Sequence, residues 1–469
     1  MELDPIFQLS IVCFGFLNTL HILRNPSKMS ILDILIFSAS IVFGLTPFLT
    51  TMISGQYDYV SSRLSMLTYT TVVLFFAGTM LVMFIERVVQ NRRGKTNSFN
   101  LFKAVLSADR VRIAPVLIIF VACILLRLFI AINYGILFSG TGTEANISNL
   151  PYRVVILRNF LQLFEWGYGV WASWMVMGKT RGHIKIVAAT MVIFLIFLMF
   201  LEGRRWVFAF IIEFFCIALL KMPRFKLRLV ISALIVILVA GFILFPLFLK
   251  IRSIYQMAPE SGNALRDLAD ALVQFKENGE DVIGGEGMQY LAENLSTRPS
   301  VTVFLMDILD RQEMISPMNG DALKSVIQWS IPHLLYKEKL LELQTKQFIQ
   351  FYYGMKLSDT SISWVAIGAA DFGALGGLFV GICFGLLLVF MNEVSVRFSR
   401  KVPFVGLCLL GGMINFVMIF EQDPSAIIVL FRDSCALFLL FLFGGLFKRK
   451  VLGLKKQKSA VYVRSIGRH

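Results

Sequence analysis

Apolar segments about as long as a membrane is thick recur along this chain of 469 residues, separated for the most part by short basic stretches. A helix needs about 20 largely apolar residues to cross roughly 30 Å of hydrocarbon. In lipid, only helices or closed barrels satisfy every backbone group. About eleven such segments are read, at 5–23, 31–53, 64–86, 113–135, 154–178, 186–201, 206–220, 229–249, 366–391, 402–420 and 425–447. With 57% hydrophobic and 16% charged residues and a mean hydropathy of +0.73, a soluble fold would lack the polar surface to cover its core. The expected fold is an all-α polytopic integral membrane protein with about 11 transmembrane helices (range 10–14). The expected divisions are an N-terminal bundle (1–250), a large loop (251–360), C-terminal spans (361–447) and a basic tail (448–469). The start, MELDPIFQ, has neither the basic region nor the cleavage site of a signal peptide, so the first segment is expected to stay as an anchor.

Charge orients the spans. Of 45 Lys and Arg, 27 fall in alternate loops and the C-terminal tail, among them Arg24, Lys28, Arg87, Arg110, Lys179, Lys221 and Arg400. The short loops opposite hold only Arg63, Arg153, Arg204 and Arg205. The positive-inside rule then gives an outward N-terminus and a cytoplasmic C-terminus. It also puts 251–360, with 10 basic and 15 acidic residues, on the outer face. Val301–Leu309 and Ala322–Leu335 carry apolar residues at helical spacing and are expected to form amphipathic helices on the membrane or over a cavity. Gly373, Gly377, Gly381 and Gly385 share one helix face, where a second helix can approach closely.

The net charge of +15 lies at membrane borders, so nucleic acid is not an expected partner; the bilayer is. No Walker loop, GxSxG elbow or HExxH occurs, and the chain has only four histidines. The six cysteines lie in apolar stretches without CxxC spacing and read as small buried hydrophobes. Neither a metal nor a cofactor is expected.

Arg127, Arg158 and Arg432 fall inside spans, where a guanidinium needs a partner or a cavity. Arg158 and Glu165 stand two turns apart on one helix face and are expected to share a polar interior. Arg432 and Asp433, as consecutive residues, are each expected to pair elsewhere. Arg204 and Arg205 form a doublet on the side that cations avoid, and two guanidinium forks there suit a lipid pyrophosphate.

From Gly203 onward the chain resembles the bacterial O-antigen and exopolysaccharide repeat-unit polymerases (Wzy-type). Three stretches carry the likeness. One is Gly203-Arg204-Arg205 opening a span. Another is Gly320-Asp321 followed by Ile331-Pro332-His333-Leu334-Leu335-Tyr336-Lys337-Glu338-Lys339. The third is Asp359-Thr360-Ser361-Ile362-Ser363, then Asp371-Phe372-Gly373-Ala374-Leu375-Gly376-Gly377. His333 stands where that family commonly has Arg, and no Pro follows Lys339.

The resemblance implies a GT-C-like glycosyltransferase in the bacterial inner membrane. Such an enzyme joins undecaprenyl-diphosphate-linked oligosaccharides, one as donor and one as acceptor, beneath a partly helical periplasmic loop. A chain-length regulator and a flippase are the implied partners. On that footing Arg158, Arg204, Arg205, Arg298 and Lys339 are expected to hold the diphosphate. His333 or Asp371 is the expected base. Glu202, Asp359 and Glu421, with Asp423, are expected at sugar hydroxyls, and Tyr336, Tyr352, Tyr353 and Trp364 against sugar rings. An O-antigen ligase and a transporter or flippase of the same lipid-linked sugars stay open.

Overall fold

The structure, a computed structural model, describes residues 3–48, 62–92, 105–134, 151–178, 182–202, 204–221, 301–332, 335–336, 343–355, 362–420 and 424–451. It also describes 228, 231, 232, 235, 236, 270 and 273. Among the described residues all regular elements are helical. They are α1 (Leu3–Arg24), α2 (Ile31–Ser40, continued by a π-helical turn, Ile41–Leu45), α3 (Ser62–Arg92), α4 (Ile113–Asn133), α5 (Tyr152–Met177), α6 (Gly182–Glu202) and α7 (Arg204–Lys221). After these come α8 (Val301–Arg311), α9 (Asp321–Ser330), α10 (Thr345–Tyr352), α11 (Trp364–Phe372), α12 (Gly376–Lys401), α13 (Pro403–Met418) and α14 (Ser425–Val451). Among the described residues five stretches are long and apolar enough to cross a membrane: Pro5–Arg24, Ile31–Phe48, Arg63–Val89, Trp364–Lys401 and Ser425–Gly444. The chain is an α-helical membrane protein.

Two close helix pairings organise the bundle. α3 lies along α12 through the glycine stripe: a Cβ on Gly377 would sit 2.1 Å from the Thr71 carbonyl oxygen, and one on Gly381 2.4 Å from that of Phe75. Backbone meets backbone there, which only glycine permits. Gly385 faces Val82 on the same seam. Gly373 leaves the stripe; its φ of +62° turns the chain between α11 and α12. The second pairing sets α5 against α13, with Gly167 over Cys408 and Gly411 over the Trp166 carbonyl. α13 is apolar all round, is buried from Phe404 to Asn415, and packs on α2, α5, α7, α12 and α14. A helix buried on every side is the one that reads as uniformly hydrophobic.

The expected span 366–391 is corrected. α11 folds back along α12, so Trp364 stacks on Phe384 with ring centroids 4.6 Å apart, and a Cβ on Gly376 would fall 1.8 Å from the Gly368 carbonyl oxygen. The long helix starts at Gly376, and α11 is a buried half-helix beside it. Apolar composition runs unbroken through the turn, where Leu375 is exposed, so no polar residue marks the break between the two helices. The expected helix over Ala322–Leu335 ends instead at Ser330, since Pro332 forces Ile331 into extended backbone. The cysteines are free; Cys123 and Cys408 are buried as expected, whereas Cys13 and Cys383 are exposed on the sides of apolar helices. The expected span 229–249 lies outside the continuously described residues.

The two ends of the bundle differ. At one end Ser30 caps α2: the Leu32 amide donates to its hydroxyl at 3.3 Å, and its own amide donates to Asp33 at 2.8 Å. The Ser30 hydroxyl donates to Glu86 at 2.9 Å, and Arg87 reaches Asp33 and His21. The Trp174 indole donates to Asp109 at 2.8 Å, and Lys221 lies 3.5 Å from the Trp174 ring centroid. The ends of α1, α3 and α7 that carry basic residues therefore lie at the same end of the bundle as the Trp174 end of α5. The turns 26–28 and 106–110 pack on them. The other end is where α8, α9 and α10 dock.

Candidate functional site

α9 is gripped at both ends by the membrane helices. At its N-terminus the amides of Ala322 and Leu323 donate to the two carboxylate oxygens of Asp371, each at 2.9 Å. The Met318 and Asn319 amides donate to the carbonyls of Ala370 and Asp371 at 2.9 and 3.1 Å. Asn319 and Gly320 enter α9 in left-handed backbone (φ 54° and 103°), which Asn tolerates and Gly adopts freely. At the C-terminus Arg432 donates from Nη1 to the Ser330 carbonyl at 2.7 Å and from Nε to Asp433 Oδ1 at 2.7 Å. An anion at the first turn and a cation at the last both complement the helix dipole.

Asp371 is thus the cap of α9. It is fully buried with both oxygens engaged, whereas a general base must face the proton it removes. The base role expected for it gives way to a positioning role. Arg432 and Asp433 also correct their expectation: they pair with each other, because the long guanidinium stem folds back along the helix to its neighbour.

The rest of the cap is fastened at the end of α11. Gln312 donates to the Ala369 carbonyl at 2.7 Å and to the Tyr353 hydroxyl at 2.9 Å, and that hydroxyl donates to the Ala370 carbonyl at 2.8 Å. The Ala370 carbonyl lies in the last turn of α11, where a helix leaves carbonyls without an intrahelical partner; that of Ala369 already accepts the Gly373 amide. Burial pushes the Tyr353 hydroxyl up to about 12, so it stays a neutral donor. Tyr353 and Trp364 are buried and do not offer a face to a sugar. Tyr352 is half-buried and donates to the Ser316 carbonyl at 3.1 Å. Arg63 meets Glu313 at 3.5 Å on the exposed rim, an ion pair of little weight.

Inside the bundle, Arg127 on α4 lies 3.5 Å from Glu165 on α5, with both side chains almost fully buried. Arg158, half-buried on α5, is close enough to interact electrostatically with both. Arg158 and Glu165 lie near each other as expected, but the described ion pair of Glu165 is with Arg127, on a different helix. A second polar point is Glu213 on α7, buried between α5 and α13, to which the Asn415 amide donates. Glu213 and Gln312 were missed in the sequence. The lone carboxylate in WVFAFIIEFFCIALL was a legible signal; Gln312, in an ordinary polar turn, gave none.

Of the other expected site residues, Tyr336 is half-buried just beyond the Ser330 end of α9. Glu202 closes α6, and Arg204 and Arg205 open α7, but their side chains lie outside what is described. Arg298, His333, Lys339, Asp359, Glu421 and Asp423 lie outside the described residues. Among the described residues no three His, Cys, Asp or Glu side chains gather closely enough to hold a metal ion. No family model, curated protein or solved structure matches the chain.

Proposed function

We propose that this protein is a membrane glycosyltransferase that polymerises undecaprenyl-diphosphate-linked oligosaccharide repeat units into O-antigen or exopolysaccharide at the periplasmic face of a bacterial inner membrane. The observation that carries the reading is the meeting of two stretches of the resemblance. Gly320-Asp321 and Asp371-Phe372-Gly373 are far apart in sequence, yet Asp371 receives the first amides of α9. The stretch from Ile331 to Lys339 starts where Arg432 holds the end of α9. Gly320, Asp321 and Ile331 therefore belong to one lid, which Asp371 and Arg432 hold to the bundle end away from the basic loops. The positive-inside rule makes that end periplasmic.

The chemistry needs no electron transfer. The acceptor hydroxyl oxygen attacks the anomeric carbon of the donor sugar, the carbon–oxygen bond to the diphosphate breaks, and the bonding pair leaves with the diphosphate. His333 takes the hydroxyl proton. Arg158, Arg204, Arg205, Arg298 and Lys339 stabilise the charge that develops on the leaving group, as fixed cationic donors do. Glu202, Tyr336, Asp359 and Glu421 contact the sugars. A chain-length regulator and a flippase are the partners such an enzyme needs.

The test is the glycan pattern of a strain lacking the chain. Single repeats on the outer-membrane lipid core support a polymerase. A bare core points to a ligase, and sugar trapped on the cytoplasmic-side carrier points to a flippase; either overturns the reading.

A further inference from the structure

Glu213 stands midway along α7, between Arg204 and Lys221, and so lies roughly 12–14 Å from either end at 1.5 Å per residue. Its side chain is fully buried, as is that of Asn415 on α13. The Asn415 amide nitrogen donates to Glu213 Oε2 and to the Gly411 carbonyl, the latter at 2.9 Å. The reversed amide would set its oxygen against two acceptors, so chemistry fixes its orientation. Two atoms are left over, Glu213 Oε1 and Asn415 Oδ1. Both are buried, both are acceptors, and neither meets a donor among the described residues.

An ionised carboxylate here would be an unpaired charge in apolar surroundings, which costs far more than burying a neutral acid. Among the described residues no cation offsets it. α13 carries no charged residue. On the other elements packed against α7, Lys28, Arg158, Glu165, His183 and Lys185 do not act on Glu213. Cys216, one turn along α7, is its titratable neighbour. A hydrated or alkali ion has no room either. A Cβ on Gly169 would sit 2.9 Å from Glu213 Oε1 and 2.5 Å from the Phe210 ring, so α5 backbone closes over the carboxylate. Toward the Arg204 end of α7, Trp206 stacks on Trp166, and Phe416 meets both edge-on. A proton needs no cavity, and a single one removes both orphan acceptors.

We propose that Glu213 is a membrane-embedded proton site. Protonated on Oε1, the neutral acid donates to Asn415 Oδ1 while the Asn415 amide donates back to Oε2, a closed acid–amide pair that ties α7 to α13. Loss of the proton leaves a bare carboxylate between α5 and α13, so proton binding and the α7–α13 contact are coupled. The assignment is independent of the polymerase reading.

Infrared spectroscopy of the full-length protein, in an ester-free detergent at neutral pH, tests this. The expected difference between wild type and Glu213→Gln is the carbonyl stretch of one neutral carboxylic acid, present in wild type and absent from the variant. Glu213→Gln copies the shape and hydrogen bonding of the neutral acid and is expected to fold with an unchanged melting temperature. Asn415→Ala should keep the acid band and move it to higher frequency, since the carbonyl loses its donor. When the pH is raised until the band disappears, the wild-type melting temperature should fall below that of Glu213→Gln, which has no proton to lose. Carboxylate stretches in place of the acid band, or a Glu213→Gln variant that does not fold, overturn the proton site. An acid band that Asn415→Ala leaves unmoved overturns the pairing, and melting temperatures of wild type and Glu213→Gln that stay together as the band is lost overturn the coupling.

Discussion

Single side chains decide whether the lid stays closed, and Asp371 is the clearest case. Removing its carboxylate leaves two buried amides without acceptors, a cost of about 1–3 kcal/mol each. Asp371→Ala is expected to open the turn before α9 to protease, while Asp371→Asn, which keeps one acceptor, opens it less. Limited proteolysis around Met314, a residue 92% exposed, reads this directly. Loss of glycan polymerisation should track that opening across the two variants. Full loss in Asp371→Asn with a closed lid would restore Asp371 as a base. At this scale the sequence announced charges in apolar runs, because their cost in lipid makes them conspicuous. It did not announce partners: Arg127 meets Glu165 across two helices, and Arg432 turns back on Asp433. Pairing depends on which helix faces lie together, and one helix's spacing does not contain that.

At the level of elements, the glycine seam and the clasp on α9 make separable demands. Gly381→Leu places side-chain atoms where the Phe75 carbonyl already lies, and overpacking of this kind costs about 1–3 kcal/mol or more. A lower melting temperature is expected, without selective loss of lid contacts. Arg432→Ala frees the last turn of α9 and should speed amide hydrogen exchange over Asp321–Ser330 while the seam stays protected. Unchanged exchange there would remove Arg432 from the clasp. Most helices were legible, since α1, α3, α4, α5, α13 and the two amphipathic helices follow apolar period and length. The fold-back of α11 was not. A turn made of Gly373 to Gly376 inside an apolar run looks like a continuing span until Trp364 is seen against Phe384.

For the whole molecule, the basic loops and the docked lid occupy opposite ends of one bundle. Positive charge alone grouped Arg24, Lys28, Arg87, Arg110 and Lys221, and those ends of α1, α3 and α7 do lie at one end of the bundle with the Trp174 end of α5 and the turns 26–28 and 106–110. In a cysteine-free background, Met314→Cys is expected to react with an impermeant maleimide on intact spheroplasts, and Lys28→Cys only after permeabilisation. The reverse pattern would put the lid in the cytosol and remove the carrier from its reach. What the protein does with that lid is decided most directly by the purified full-length chain in liposomes, given one synthetic undecaprenyl-diphosphate-linked repeat unit. The expected product is a ladder spaced by one repeat, with one undecaprenyl diphosphate released per linkage formed. Folded protein that yields only the starting repeat and releases no carrier would contradict it.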